Sequence, residues 1–368
     1  MASLRSGPGH PGAYRSRRVL EMNLQQAVAG VAEEDHPTRD ESSVRTERRP
    51  PPLASSILEA IGGTPLVDLR QLVRNRGLEG RILAKLEYLN PGSSKKDRVA
   101  LEIVRRARAD GRLREGQAVV EVTSGNTGTG LAIVCAALGH PFVAIMSKGN
   151  TIERARQMAA LGAEVILVDQ GPDAVVGEVT RCDMALVEET ARRIVADRGA
   201  FRAFQFECED NCRAHEESTG PEIWEQSGGT IDAFTMIAGT CGTYTGVMRY
   251  LRRVNPSVRG YLIEPARAAV LAGVCVDDPR HKIQGAGYAR DLPLLDRSLV
   301  TDYAQVEDDE SAELTRALAV EEGIFAGIST GANLAVALRL LQGPERGRTV
   351  AVIVCDSGLK YLSTDLYP

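Results

Sequence analysis

The sequence predicts an α/β fold, a mainly parallel sheet with helices on both faces, and three observations carry that expectation. From Ser55 onward, short apolar runs of strand length alternate with stretches of helical period. Glycine-bearing loops stand where apolar runs give way to helices, as at TSGNTG (123–128), AGTCGTYTG (238–246) and GISTGAN (327–333). Strands that alternate with helices in this way are joined by crossovers, so neighbours pair in parallel and need helical cover.

Taken in order, RILAKLEYL (81–89) reads as a strand, and DRVALEIVRRARADG (97–111) as an amphipathic helix closed by Gly111. AVVEV (118–122) is a strand whose following loop opens a buried helix, TGTGLAIVCAALG (127–139). PFVAIMS, IERARQMAALG and EVILVD repeat strand, helix, strand, and a helix follows near 183–198. AFTMIA (233–238) is a strand, YTGVMRYLRRV (244–254) a helix and RGYLIE (259–264) a strand. A helix near 308–322, the helix GANLAVALRLL (331–341) and the strand TVAVIV (349–354) complete the pattern. Ligands of such folds sit at the carboxyl ends of strands, where the glycine loops lie.

Residues 1–52 differ: rich in Pro, Arg, Glu and Ser and without sustained periodicity, they read as a disordered extension. The acidic AEEDH that follows the Arg-rich start argues against a transit peptide, and that start lacks the apolar centre of a signal peptide. A formal net charge of −5 leaves no basic footprint for nucleic acid, and no apolar run approaches a membrane span. The seven cysteines, odd in number and scattered, suit a reducing compartment, so a cytoplasmic protein is expected. Cys208, Cys212 and His215 in CEDNCRAH do not have the spacing of a common zinc motif and read as ordinary structure, so no metal is expected. Trp224 reads as a core residue.

Lysine is scarce: Lys85, Lys95, Lys96, Lys148, Lys282 and Lys360 are the six present among 44 basic residues. Arginine replaces lysine on a solvated surface but not where a primary amine must act as nucleophile. The adjacent pair in NPGSSKKDR (90–98) therefore stands out. The three glycine loops each have two readings. In TSGNTG the hydroxyls, amide and backbone N–H groups suit a carboxylate or phosphate, or Ser124, Asn126 or Thr127 simply caps the helix. In AGTCGTYTG, glycines 239, 242 and 246 with threonines 240, 243 and 245 suit a dianionic phosphate, although many helices begin this way and bind nothing. It is neither a Walker loop nor G-x-G-x-x-G, which removes the ground for a nicotinamide-binding oxidoreductase. In GISTGAN, Ser329 or Thr330 is either a cap or a ligand group.

Together with IGGTPLV, ERARQMAALGAEV, QFECEDNCRAHEESTGPEIWEQ, IQGAGY and DSGLKYLST, these stretches resemble the cysteine synthase and cystathionine β-synthase family, of tryptophan-synthase-β-like fold. The likeness runs in order from Ile57 to Ser363. It implies two open, mainly parallel twisted sheets flanked by helices, with pyridoxal 5′-phosphate in the cleft between two subdomains. The catalytic domain would be residues 53–368, with a smaller subdomain at about 97–200 and the larger made of the remainder.

By register with Asp97 and Arg98, the resemblance assigns the cofactor-bearing lysine to Lys96. It assigns the substrate carboxylate to Thr123, Ser124, Gly125, Asn126 and Thr127, with Asn126 also near the ring hydroxyl, and gives Gln205 a supporting role there. Gly239, Thr240, Cys241, Gly242 and Thr243 resemble the phosphate cradle, and Gly285 the substrate side-chain loop, here shortened. Ser329 matches the serine facing the pyridine nitrogen; a neutral hydroxyl cannot hold that nitrogen protonated, which favours β-substituent loss over transamination. Three residues depart from the pattern: Ser93, Cys241 at a position usually glycine, and Lys95 at one usually Val or Ile. Two readings of Lys95 stand, a solvated side chain directed away from Lys96, or a second cation that favours the neutral amine of Lys96.

The implied activity is β-replacement on an O-activated serine through an aminoacrylate, first of all O-acetylserine plus sulfide giving L-cysteine, by a homodimer. Its partners are then a small amino acid and a small nucleophile. Alternatives are another β-substituted alanine synthase, of cystathionine or 2,3-diaminopropionate type, a serine/threonine dehydratase-like eliminase, and a degenerate regulatory partner.

Overall fold

A computed structural model describes residues 53–123, 125–150, 152–172 and 181–367. The expectation for 1–52 and the assignment of Ser124 lie outside these residues.

The chain first lays down an edge. β1 (Leu66–Asp68) pairs antiparallel with β2 (Arg81–Leu86), with the short helix α1 (Arg70–Asn75) between them. The strand predicted at 81–89 stops at Leu86, because Glu87–Leu89 tighten into a 3-10 turn that carries the fully buried Glu87 toward Arg98. α2 (Lys96–Ala109) then leads into a second sheet.

That sheet is entirely parallel, in the order β5-β4-β3-β6. Its members are β3 (Val119–Val122), β4 (Phe142–Ser147), β5 (Glu164–Val168) and the two-residue β6 (Phe201–Arg202). The connecting helices are α3 (Asn126–Leu138), α4 (Ile152–Ala160) and α5 (Arg181–Arg198). All six residues of β4 are buried, as a parallel strand covered on both faces requires.

Past β6, α6 (Asp210–Ala214), a π-turn (His215–Thr219) and α7 (Gly220–Gln226) follow without a break. The chain then returns to the first sheet with β7 (Ala233–Ile237), α8 (Gly242–Val254), β8 (Arg259–Pro265) and β9 (Asp302–Val306). α9 (Asp308–Glu322) and α10 (Ile328–Gln342) precede β10 (Thr349–Val354), which enters between β2 and β7. The order is β1-β2-β10-β7-β8-β9, parallel except at β1, with Val352 opposite Ala84 on one side and Thr235 on the other. β-Branched residues fill β10, all of it buried at the centre of the larger apolar core. Trp224, read from the sequence as a core residue, is only partly buried and packs against that core from outside.

Two features join this frame to the glycine loops. The chain leaving β10 forms bridges from Asp356 to Ser94 and from Ser357 to Ala326, and Lys95 N–H donates to Cys355 O at 3.0 Å. The NPGSSKK turn is thereby fixed on the end of the central strand. Beneath it, Arg98 forks onto two carboxylates: Nε and Nη2 each lie 2.8 Å from Glu87, and Nη1 and Nη2 lie 2.6 and 2.7 Å from Glu222. Lys85 adds an ion pair to Glu222 at 2.6 Å, so two cations face two carboxylates in a largely buried cluster.

Candidate active site

The carboxyl ends of β3, β7 and β10 and the loop at 283–288 surround one cleft. Of the residues assigned from the sequence, Lys96, Thr123, Asn126, Thr127, Gln205, Gly239, Thr240, Gly285 and Ser329 line it. Gly125, Cys241, Gly242 and Thr243 do not; they lie one layer back, in the loops that shape the wall.

Lys96 opens α2, held by the backbone contact of its own N–H with Ser94 Oγ at 3.3 Å. Among the described residues its ammonium has no hydrogen-bond partner. Burial, then the charge of Lys95, lowers its pKa from 10.5 to about 7, against smaller opposing effects of Cys355 and Cys241. Close to neutral pH, a large share of this amine is therefore unprotonated.

Lys95 corrects one of the two sequence readings. Its side chain is not directed to solvent: it lines the same cleft, with Nζ 3.8 Å from Met236 Sδ. It is the residue just before α2, and its side chain runs along the cleft wall to Met236 on β7.

The TSGNT loop is shaped by Thr123, whose Oγ1 accepts N–H bonds from Gly125 at 3.2 Å and Gly128 at 3.0 Å. Thr123 therefore carries the capping role that the sequence offered to Asn126 or Thr127. Thr127 instead donates to Gln205 Oε1 at 2.6 Å, and Gln205 Nε2 donates to Val122 O at 3.2 Å. Asn126 donates from Nδ2 to Asp356 Oδ2 at 2.7 Å and accepts from Lys360 Nζ at 2.6 Å. Tyr361 also donates to Asp356 Oδ2, at 3.0 Å.

At the other end, Thr240 Oγ1 accepts from Asn211 Nδ2 at 3.0 Å and Gly242 N at 3.3 Å. A Cβ on Gly242 would stand 2.1 Å from Asn211 Oδ1, so this backbone approach admits only glycine. Cys241 sits at φ 64, in the left-handed region, a conformation that costs a non-glycine residue about 1–2 kcal/mol. Its thiol is buried and pushed up to about 12, so it is neutral. Ser93, the other departure, is also left-handed at φ 57. Thr243 Oγ1 lies 3.1 Å from His215 Nε2, and His215 Nδ1 lies 2.9 Å from Thr219 Oγ1. Both ring nitrogens of His215 thus face threonine hydroxyls, and no group of three metal-ligating side chains occurs among the described residues. Thr330, the other candidate cap, accepts from Cys355 N at 3.2 Å, while Ser329 has no hydrogen-bond partner among the described residues and opens on the cleft.

Residues not singled out from the sequence also line the cleft. Arg154 donates to Gln284; Tyr288, Cys355, Asp356 and Tyr361 complete the wall. DSGLKYLST signalled Asp356 and Tyr361 as a motif, but not their contact with Asn126, more than 200 residues away in the chain.

Residues 57–356 match the family described as pyridoxal-phosphate dependent enzyme, and the chain belongs to that family. Within it, the chain is 38% identical over 313 residues to a cysteine synthase of Staphylococcus aureus, covering 85% of this chain and 96% of that one. It is 39% identical to cysteine synthase 3 of Caenorhabditis elegans, covering 84% and 88%. Among solved structures, O-acetyl serine sulfhydrylase isoform 3 from Entamoeba histolytica superposes with a TM-score of 0.80 at 34% identity, covering 88% and 95%. An O-ureido-L-serine synthase superposes with a TM-score of 0.77 at 38% identity, covering 86% and 95%.

The residues present fit pyridoxal phosphate. An amine and a hydroxyl, each without a hydrogen-bond partner among the described residues, and a glycine-threonine loop at a helix start all open on one cleft.

Proposed function

We propose that the protein catalyses β-replacement on an O-activated serine, most directly O-acetylserine and hydrosulfide to L-cysteine and acetate. The observation that carries this reading is Lys96: an amine with its pKa brought to about 7, standing in the cleft between a carboxylate-binding loop and a phosphate-binding one. When bound, pyridoxal phosphate supplies the electron sink for charge left at Cα. Lys96 would hold the cofactor, and its amine is placed to take the proton from Cα and to return it; such a base contributes about 10²–10⁴-fold. Asn126 and Thr127 at the start of α3, with Gln205 behind Thr127, hold the substrate carboxylate and keep Cα within reach of Lys96. Ser329 would offer a neutral hydroxyl to the ring nitrogen, and the Gly239–Thr243 loop, of which Gly239 and Thr240 line the cleft, would hold the phosphate.

The likeness to an O-ureido-L-serine synthase supports a second reading in which the same donor meets a different nucleophile. The smaller subdomain is proposed at about 97–200, supported by a four-stranded sheet whose strands fall within 119–202. A cytoplasmic homodimer is proposed from the family resemblance and from the seven scattered cysteines, odd in number; no helix among the described residues is long and apolar enough to cross a membrane.

The test is a spectrum of the purified protein followed by substrate. A band near 410 nm, where the lysine-bound cofactor is expected to absorb, should shift on addition of O-acetylserine, and sulfide should then release cysteine. A band unmoved by O-acetylserine contradicts this donor.

A further inference from the structure

We infer that Lys95 is a second, non-covalent contact for the cofactor, its ammonium serving as counter-charge to the phosphate ester at the Gly239–Thr243 loop. This inference rests on the cofactor reading above and extends it to a residue that the family resemblance does not assign.

Lys95 is part-buried and lines the cleft, yet among the described residues no carboxylate stands within ion-pair distance of it. Among the described residues its ammonium meets only the thioether of Met236, at 3.8 Å, a weak acceptor. A half-buried ammonium on a cleft wall, with no carboxylate beside it, favours an anionic group of a ligand that enters the cleft.

Position selects the partner. Met236 lies on β7, and the cradle begins three residues later at Gly239, so the ammonium of Lys95 lies over the strand end that feeds the cradle. Lys95 is also the strongest charge acting on the Cys241 thiol and on His215, which contacts Thr243. Both of those groups are held neutral by burial and offer the phosphate no compensation. Arg154, another cation of the cleft wall, packs at Gly125 on the opposite loop, where a carboxylate is expected. Lys96 is consumed as the covalent anchor. The dianionic phosphate is the ligand group that Lys95 can reach and that lacks a charged partner.

The test compares two aldehydes that differ only in the phosphate. Cofactor-free wild type, Lys95→Met and Lys95→Arg are titrated with pyridoxal 5′-phosphate and with pyridoxal, following binding by protein fluorescence. Lys95→Met should weaken the phosphorylated aldehyde by about tenfold or more, the scale of one lost charge-assisted hydrogen bond. Pyridoxal binding should stay within about threefold, and Lys95→Arg should retain the preference for the phosphate. Lys95→Gln replaces Lys95→Met if the latter does not fold. Unchanged affinity for the phosphorylated aldehyde overturns the inference. Equal losses for both aldehydes also overturn it, because Lys95 would then act through the amine of Lys96. A wild type that takes up neither aldehyde overturns the cofactor reading itself.

Discussion

Lys360 donates to Asn126 Oδ1 at 2.6 Å, and with Asp356 accepting from Nδ2 at 2.7 Å the Asn126 amide is locked in one orientation. The same ammonium reaches Gly92 O at 2.8 Å, so one side chain ties the TSGNT loop to the turn that carries Lys96. Burial lowers its pKa, while Asp356 and Asp97 oppose that effect.

Lys360→Met should therefore free the Asn126 amide and disturb substrate placement more than cofactor attachment. The expected result is a KM for the amino-acid donor raised about tenfold with the visible absorbance retained, and partial recovery in Lys360→Arg. Steady-state kinetics on both variants checks this. An unchanged KM would mean that the lock does not position the substrate.

The depressed pKa of Lys96 has a sign that can be read from stability. In the cofactor-free protein the unfolded lysine binds a proton up to pH 10.5, whereas the folded one releases it near pH 7. Between those values the unfolded state holds more protons, so this residue makes the folded state more stable as pH rises, by at most about 1.4 kcal/mol per pH unit. Urea denaturation at pH 7 and pH 9 should show a larger gain for wild-type apoprotein than for Lys96→Met. Equal gains would contradict a lowered pKa.

Cys241 in its left-handed bend is a strained departure, yet Thr240, Gly242 and Asn211 keep the cradle's contacts around it. Cys241→Gly should therefore change cofactor affinity by no more than about tenfold, or 1.4 kcal/mol. Equilibrium titration of the cofactor measures it, and a larger change would place Cys241 itself among the determinants of phosphate binding.

The Arg98 cluster carries stability and not chemistry. Glu87 is fully buried, and removing its guanidinium partner leaves an unpaired carboxylate. Arg98→Met should cost about 3–5 kcal/mol. The midpoint of urea unfolding reports it; a loss below 1 kcal/mol would show the cluster to be dispensable.

Much of this site was legible in the sequence, and the limits are physical. Lys96, Asn126, Gln205 and Ser329 stand in short motifs at strand-to-helix loops, and local pattern is enough to bring such loops to one end of a parallel sheet. The main strands and helices were legible by period for the same reason. β1, β6 and β9 were not, being edge strands of two to five residues with no alternation to read. Nor was the π-turn at His215–Thr219, which depends on how α6 and α7 pack against α8. The direction of Lys95 is tertiary: the bridges from Asp356 to Ser94 and from Lys95 N–H to Cys355 decide it, and their partners are separated by about 260 residues.

Lys96, and not its neighbour, is expected to be the amine that holds the cofactor. Borohydride reduction of the holoprotein, digestion and mass mapping of the peptide containing NPGSSKKDR tests it most directly. The phosphopyridoxyl label is expected on Lys96, and Lys96→Ala should lose both label and turnover while Lys95→Ala keeps a substantial part of each. A label on Lys95 would contradict the account.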